Sequence, residues 1–240
     1  MADGTNLQQK AMNTVCLVAW QLPRAHRGLA KRIYHCRSCN PQNTQAMSRK
    51  SIDLMFATDP NWAKVIISNF NDFLRDHANC ERKASALALS MVVKYPDRTQ
   101  IIPQLINIAQ EELAHFRSVY ELMEARGLTI LADRQDAYVQ QLVAVLRHGR
   151  EQRFLDRMLI SSLIECRGAE RFRLISQRLG SPSLKTFYRD LGAAEAKHGH
   201  QFVDLALKYF PPSTVYPRLM DLAAKEAQVI SQLPWRPALH

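Results

Sequence analysis

From Phe70 onward the apolar residues of this chain recur in alternating steps of four and three, the spacing that places them on one face of a helix. Phe70, Leu74, His77, Glu81, Ala84, Ala88, Met91 and Tyr95 make the first stripe, and Pro96-Asp97-Arg98-Thr99 breaks it. Leu105, Ile108, Glu112, His115, Val119 and Leu122 make the second, with Gly127 as its C-terminal cap. The third carries Leu155, Met158, Ser161, Glu165, Gly168, Phe172, Ile175 and Leu179 and stops at Gly180-Ser181-Pro182. Leu184, Tyr188, Leu191, Glu195, His198, Phe202, Leu205 and Tyr209 form the fourth, which ends at Pro211-Pro212. Shorter elements surround these: a helix after Thr58-Asp59-Pro60, a connecting helix from about Asp133 to Arg147, and a last amphipathic helix from about Pro217 to Ile230, packed outside the bundle. No strand pattern competes. The expected fold class is all-α, a four-helix bundle of two helical hairpins with a long crossover and extra peripheral helices. Residues 1–50 have weak periodicity and read as an N-terminal extension, leaving 51–240 as the bundle domain with its C-terminal helix.

Charge interrupts all four stripes. Glu112-Leu113-Ala114-His115 and Glu195-Ala196-Lys197-His198 each set a Glu and a His three apart, so both project from one helix face and can hold the same metal ion. A lone glutamate stands upstream of each pair: Glu81 precedes Glu112 by 31 residues, and Glu165 precedes Glu195 by 30. Tyr95 lies 14 residues beyond Glu81 and Thr99 lies 13 before Glu112, so an antiparallel hairpin brings both glutamates to one height. Four carboxylates on core faces are very costly without compensation, since buried carboxylates are almost always paired or coordinated. Two divalent ions would balance their charge, with neutral imidazoles completing the coordination. Glu81, Glu112, His115, Glu165, Glu195 and His198 thus match the ligand pattern of ferritin-like di-iron and di-manganese proteins. Oxygen and imidazole ligands without thiolate suit two iron ions, with manganese as the alternative metal. A reduced iron pair can deliver two electrons to dioxygen as co-substrate.

Neighbouring residues admit two readings each. His77, one turn before Glu81, either hydrogen-bonds a ligand carboxylate or is a plain core histidine; Cys80 and Cys166 read as small buried hydrophobes. Ala84, Ala88 and Gly168 leave space beside the ligands, for a substrate pocket or for close helix packing.

Composition adds three constraints. A 47% hydrophobic content over 240 residues supports a sizeable core, and no run approaches the roughly 18 apolar residues of a membrane span, so a cytoplasmic protein with no membrane partner is expected. Five scattered cysteines make no disulfide framework, and Cys36-Arg37-Ser38-Cys39 alone is a weak zinc signal. The +10 formal charge suits a polyanion such as RNA. Arg24, His26, Arg27, Lys31, Arg32, His35 and Arg37 in the extension suggest an RNA-contacting arm or a mobile leader. Arg147, Arg150, Arg153, Arg157, Arg167, Arg171, Arg173 and Arg178 form either a phosphate-binding face or a solvated face with internal ion pairs.

The words around the ligands are more specific than the ligand pattern. Asp76-His77-Ala78-Asn79-Cys80-Glu81-Arg82-Lys83-Ala84, Glu111-Glu112-Leu113-Ala114-His115-Phe116, Leu163-Ile164-Glu165-Cys166-Arg167-Gly168-Ala169-Glu170-Arg171-Phe172 and Glu195-Ala196-Lys197-His198 resemble the MiaE family of tRNA hydroxylases, over about residues 69 to 210. The resemblance implies oxygen-dependent hydroxylation of the isopentenyl group of 2-methylthio-N6-isopentenyladenosine beside the anticodon, with tRNA as substrate. The alternatives are a ferritin-like peroxidase or manganese catalase, or a ferroxidase, using the same cluster. No dinucleotide fingerprint follows a strand and no complete iron–sulfur cysteine set is present, so a separate reductase or ferredoxin is the expected electron donor.

Overall fold

The computed structural model describes residues 52–132 and 135–240; the expected extension over 1–50, with its basic run and the Cys36/Cys39 pair, lies outside the described residues. Among the described residues the regular structure is entirely helical: α1 (Trp62–Ser68), α2 (Phe70–Lys94), α3 (Ile102–Glu124), α4 (Ala137–Ala144), α5 (Arg150–Arg178), α6 (Pro182–Leu207) and α7 (Pro212–Gln232). The long helices α2 and α3 pack as one hairpin and α5 and α6 as the other. The fold is an all-α ferritin-like bundle, with α1, α4 and α7 around it.

Two apolar layers sandwich the middle of the bundle. One contains Trp62, Ile66, Phe73, Phe172, Ile175, Tyr188 and Leu191, and the other Met91, Tyr95, Leu105, Ile108, Phe154, Met158, Phe202 and Leu205. Along α2, α5 and α6 the stripe glutamates fall between these layers, so the apolar packing on both sides fixes their height. Serines stitch each hairpin close to this level: Ser85 Oγ donates to the Ala109 carbonyl at 2.8 Å, and Ser162 Oγ to the Gly199 carbonyl at 2.7 Å. Gly199 permits the second contact, because a Cβ there would lie 2.6 Å from Cys166 Sγ.

The peripheral helices differ from the sequence expectation. The connecting helix is only Ala137–Ala144, capped by Asp136, which accepts from the Tyr138 and Val139 amides at 2.9 and 3.4 Å. At its other end the Arg147 amide leaves the helix to donate to Asp156 at 2.8 Å. The last helix starts at Pro212, directly after the fourth stripe, and contains Pro217 rather than beginning there. A proline suits a helix start but does not mark one uniquely.

That helix also does more than cover the outside. It contributes Glu226, fully buried, to the side chain of Arg167, which is itself fully buried: Nε donates to Oε1 at 2.8 Å and Nη2 to Oε2 at 3.0 Å. Tyr138 Oη donates to the same carboxylate at 3.0 Å, and the remaining guanidinium protons reach the Phe56 carbonyl, Thr58 and Glu170. Four segments of the chain thereby meet on one charge. Removing one partner of a buried pair leaves the other unpaired in low dielectric, at a cost of about 3–5 kcal/mol. Glu226→Ala is therefore expected to lower the unfolding free energy by about that amount in urea titration. The double variant Arg167→Met/Glu226→Leu, which removes both charges, is expected to recover part of the loss.

Candidate metal centre

Six side chains from α2, α3, α5 and α6 converge between the two apolar layers. Their potential ligand atoms form two groups, each within 4.8 Å: Glu81, Glu112, His115 and Glu195 in one, Glu112, Glu165, Glu195 and His198 in the other. Glu112 and Glu195 belong to both. Such an arrangement could hold two adjacent cations that share two carboxylates, each completed by one further glutamate and one histidine.

The polar atoms facing this centre lack partners. Both carboxylate oxygens of Glu112 and of Glu195, and Nδ1 of His115 and His198, are buried without a hydrogen bond. His115 Nδ1 stands 3.5–3.6 Å from oxygens of Glu81, Glu112 and Glu195, too far for good hydrogen bonds to any of them. His198 Nδ1 comes within 2.5 Å of Glu112 Oε1, yet the pair is not aligned as a hydrogen bond. Buried polar groups are normally satisfied, so a concentration of unsatisfied donor atoms aimed at one point fits bound cations. The donor set, four carboxylates and two imidazoles, suits iron.

Surrounding residues orient these groups. Glu111 Oε2 accepts from His198 Nε2 at 3.0 Å and is held by Lys197 Nζ at 2.9 Å, which keeps a proton on Nε2 and turns Nδ1 toward the centre, where a bound cation would take its lone pair. Glu111 and Lys197 lie within the sequence words around the ligands, but spacing alone does not reveal that they meet. Burial above all holds His77 neutral, its pKa lowered to about 3. Its Nε2 hydrogen-bonds Glu81 Oε1 at 2.6 Å while Nδ1 lies 3.3 Å from Tyr188 Oη.

Without metal the centre holds protons. Burial first, and the charge of Glu195 second, push the carboxyls of Glu81, Glu112 and Glu165 up. Burial also opposes charge on Glu195, His115 and His198, but their mutual contacts prevail, lowering Glu195 and raising His115 to about 12 and His198 to about 10.

A cavity of about 340 Å³ lies beside the centre, between α2, α4 and α5, with Lys83, Leu87, Val139, Gln140 and Ser161 in its wall. A second, of about 40 Å³, touches Glu81, Glu112, Glu165 and Glu195. The two share Cys80, Ala84, Ile164, Glu165 and His240 as walls. Ala84 thus borders open space. Cys80 is a half-buried wall residue, and Gly168 lines the inner cavity, where an added Cβ would make only an ordinary 3.8 Å contact with Glu195. Leu239 and His240, far from the ligand motifs in sequence, carry no signal that places them here.

The family model described as tRNA-(MS[2]IO[6]A)-hydroxylase (MiaE) matches residues 45–240. The chain belongs to the MiaE family. A tRNA 2-(methylsulfanyl)-N(6)-isopentenyladenosine(37) hydroxylase of Pseudomonas putida is 31% identical over 152 residues, 63% of this chain and 74% of that protein. A protein of the same name from Salmonella typhimurium is 30% identical over 107 residues, 45% of this chain and 39% of that protein. Among solved structures, Protein 43 with aldehyde deformylating oxygenase activity from Synechococcus superposes with a TM-score of 0.74 at 33% identity, covering 78% of this chain and 94% of that one.

The arginines of this MiaE-family chain separate into four groups. Arg167 and Arg171 are buried, which corrects the expectation that they face a polyanion: Arg167 is held in the Glu226 network, and Arg171 donates to the Leu239 carbonyl at 2.5 Å while stacking over Trp62. Arg147 and Arg150 are committed to Asp156 and Asp97. Arg173 is exposed on a groove of α5 and α6 with Arg189, away from the cavity beside Glu165, and Arg178 is exposed at the end of α5. Arg153 and Arg157 remain. With Lys94 they form a like-charged group, since burial first and then Arg157 and Arg153 lower the Lys94 pKa.

Anaerobic titration with ferrous ion is expected to saturate at two ions per chain, and at one or fewer in Glu165→Ala. Because the raised carboxyls and imidazoles must lose protons to bind metal, affinity is expected to rise with pH across neutrality. Calorimetry in buffers of different ionisation enthalpy measures the released protons directly.

Proposed function

We propose that this protein is a di-iron monooxygenase that hydroxylates the isopentenyl arm of 2-methylthio-N6-isopentenyladenosine next to the anticodon of tRNA. The observation that carries the reading is a pair of fused carboxylate–imidazole sites whose wall at Glu165 is also the wall of a cavity of about 340 Å³, in a MiaE-family chain. When bound, a pair of iron ions supplies two electrons to dioxygen and so the oxidising power to attack an unactivated C–H bond. Glu81, Glu112, Glu165 and Glu195 would hold the ions with His115 and His198, and His77 orients Glu81 through its Nε2 hydrogen bond. Ala84, Ile164 and Glu165 bound the passage by which a slender alkyl arm approaches, and the apolar layers on either side keep bulk water from the centre. A peroxidase, catalase or ferroxidase needs no cavity of that size.

Only the arm has to reach the centre, so the base is splayed out of the anticodon loop and the loop stays outside. Lys83 and Leu87 line the outer cavity on α2, and Lys94 continues the same helix face about two turns on from Leu87. Arg157 and Arg153 continue the Ser161 face of α5 in the same direction. This group is our choice for the phosphates flanking the modified nucleoside. Electrons come from a separate reductase or ferredoxin. The setting is cytoplasmic, where tRNA is modified, and no helix among the described residues is long and apolar enough to cross a membrane.

Iron-loaded protein with isopentenylated tRNA, a reductant and oxygen is expected to add one oxygen atom to the nucleoside, read by mass analysis. Repeated turnover with NADPH alone would contradict the external donor. Arg153→Glu/Arg157→Glu is expected to weaken tRNA binding and to flatten its salt dependence by about one unit of slope per lost phosphate contact, with iron content unchanged. An unchanged salt slope would move the tRNA to another face.

A further inference from the structure

The segment after α7 returns to the centre and ends its described course at a histidine whose surroundings are unusually constrained. The Leu239 amide donates to Asp76 Oδ2 at 2.7 Å, and its carbonyl accepts from Arg171 Nη1 at 2.5 Å, so the main chain is tethered on both sides immediately before His240. The His240 ring stacks on Tyr138 with centroids 4.8 Å apart and planes 12° from parallel. Its Nδ1 lies 3.4 Å from Asp136 Oδ2. Although burial opposes ionisation of Asp136, His240 and the amides of Tyr138 and Val139 hold its carboxyl at about 2. In a neutral imidazole, a carboxylate beside Nδ1 favours the proton on that nitrogen, which leaves Nε2 as the acceptor. The His240 side chain is only 5% exposed, and its Nε2 is buried without a hydrogen-bond partner. Nothing in the fold uses that atom, yet His240 belongs to the walls of both cavities, at the junction between the outer space and the space against the glutamates.

We propose that His240 is a specificity-determining residue for the modified base, its Nε2 accepting the N6–H of the alkylated adenine. The inference rests on the hydroxylase reading above. An N6-alkylated adenine has one N–H donor on its base, and that donor sits on the atom from which the isopentenyl arm departs. The order of groups in the substrate, purine, N6–H, then alkyl arm, parallels the order of spaces in the protein: outer cavity, the His240 wall common to both, then the inner cavity against the glutamates. Tyr138 sets the plane of the imidazole and Asp136 its tautomer, so the acceptor is oriented before substrate arrives and little ordering cost falls on binding. A buried acceptor left unpaired penalises any base that cannot satisfy it, which makes the contact discriminate more than it attracts.

The test compares two anticodon stem-loop RNAs, one carrying N6-isopentenyladenosine and the other the same base with a methyl in place of the N6 hydrogen. Binding to the iron-loaded protein is measured without oxygen, so that no turnover intervenes. The wild type is expected to favour the N6–H RNA by about threefold to tenfold, the range of one buried hydrogen bond. His240→Phe retains a ring to stack on Tyr138 but has no acceptor, and its preference is expected to fall to about one. A preference arising only from the bulk of the methyl would persist in that variant and overturn the proposal. Asp136→Asn, which releases the tautomer without touching the ring, is expected to lose the preference as well and serves if His240→Phe fails to fold or to hold iron. Equal binding of both RNAs by the wild type overturns the role of His240 while hydroxylation of the N6–H RNA still stands. Absence of that hydroxylation with oxygen and reductant overturns the hydroxylase reading itself, and the proposal with it.

Discussion

Everything in the bundle answers to the cost of placing four glutamates inside it. Glu81, Glu112, Glu165 and Glu195 are all buried and drawn into two overlapping groups, where each raises the free energy of the others' ionised forms. Such a centre is tolerable only if cations, or protons in their absence, neutralise it, and only if the scaffold holds the groups in place against their repulsion. The two apolar layers, the serine stitches from Ser85 and Ser162 and the close approach at Gly199 supply that rigidity. The serine stitches fall on different sides of the glutamates in sequence, Ser85 four residues after Glu81 and Ser162 three before Glu165, so the approximate two-fold character lies in the ligand groups themselves. The departures from symmetry are equally physical: His77 braces Glu81 in one half, and Glu111 braces His198 across the hairpins.

The positive charge of the chain serves two different ends. Arg167 and Arg171 are structural cations, tying α5 to α7, to the residues before α1 and to the Leu239 carbonyl. Arg147, Arg150 and Arg218 are bound to carboxylates. Net charge measures the field around a protein but not which groups produce it at a given face. The cationic group that does repel itself, Lys94 with Arg153 and Arg157, is also the one continuing the helix faces that line the cavity. Such self-repulsion is relieved by an anion.

Part of the cavity wall beside the centre comes from segments outside the six convergent residues. The wall opposite α2 and α5 comes from the start of α4, and its inner edge comes from Leu239 and His240. Both depend on Tyr138, which lies under His240 and donates to Glu226 of α7. The buried Arg167 network therefore does more than stabilise the fold, because it also fixes the platform on which the cavity is built.

The four long helices, their pairing and the six convergent residues were legible in the sequence because each rests on local periodicity. A residue three or four positions away shares a helix face whatever the rest of the chain does, so Glu112 with His115 and Glu195 with His198 need no tertiary information. The repeat of Glu81 and Glu165 at matching distances then orders the hairpins. Two things escaped for one reason. The burial of Arg167 and Arg171 and the place of Leu239 and His240 at the cavity depend on partners 59 to 163 residues distant, from Arg167–Glu226 to Asp76–Leu239. An arginine repeated along a helix reads as a charged face, since its sequence neighbours do not reveal the buried carboxylate that will meet it. Local pattern determined which groups could form a metal centre; only the packing of distant segments decided which cations face solvent and which side chain stands at the mouth of the site.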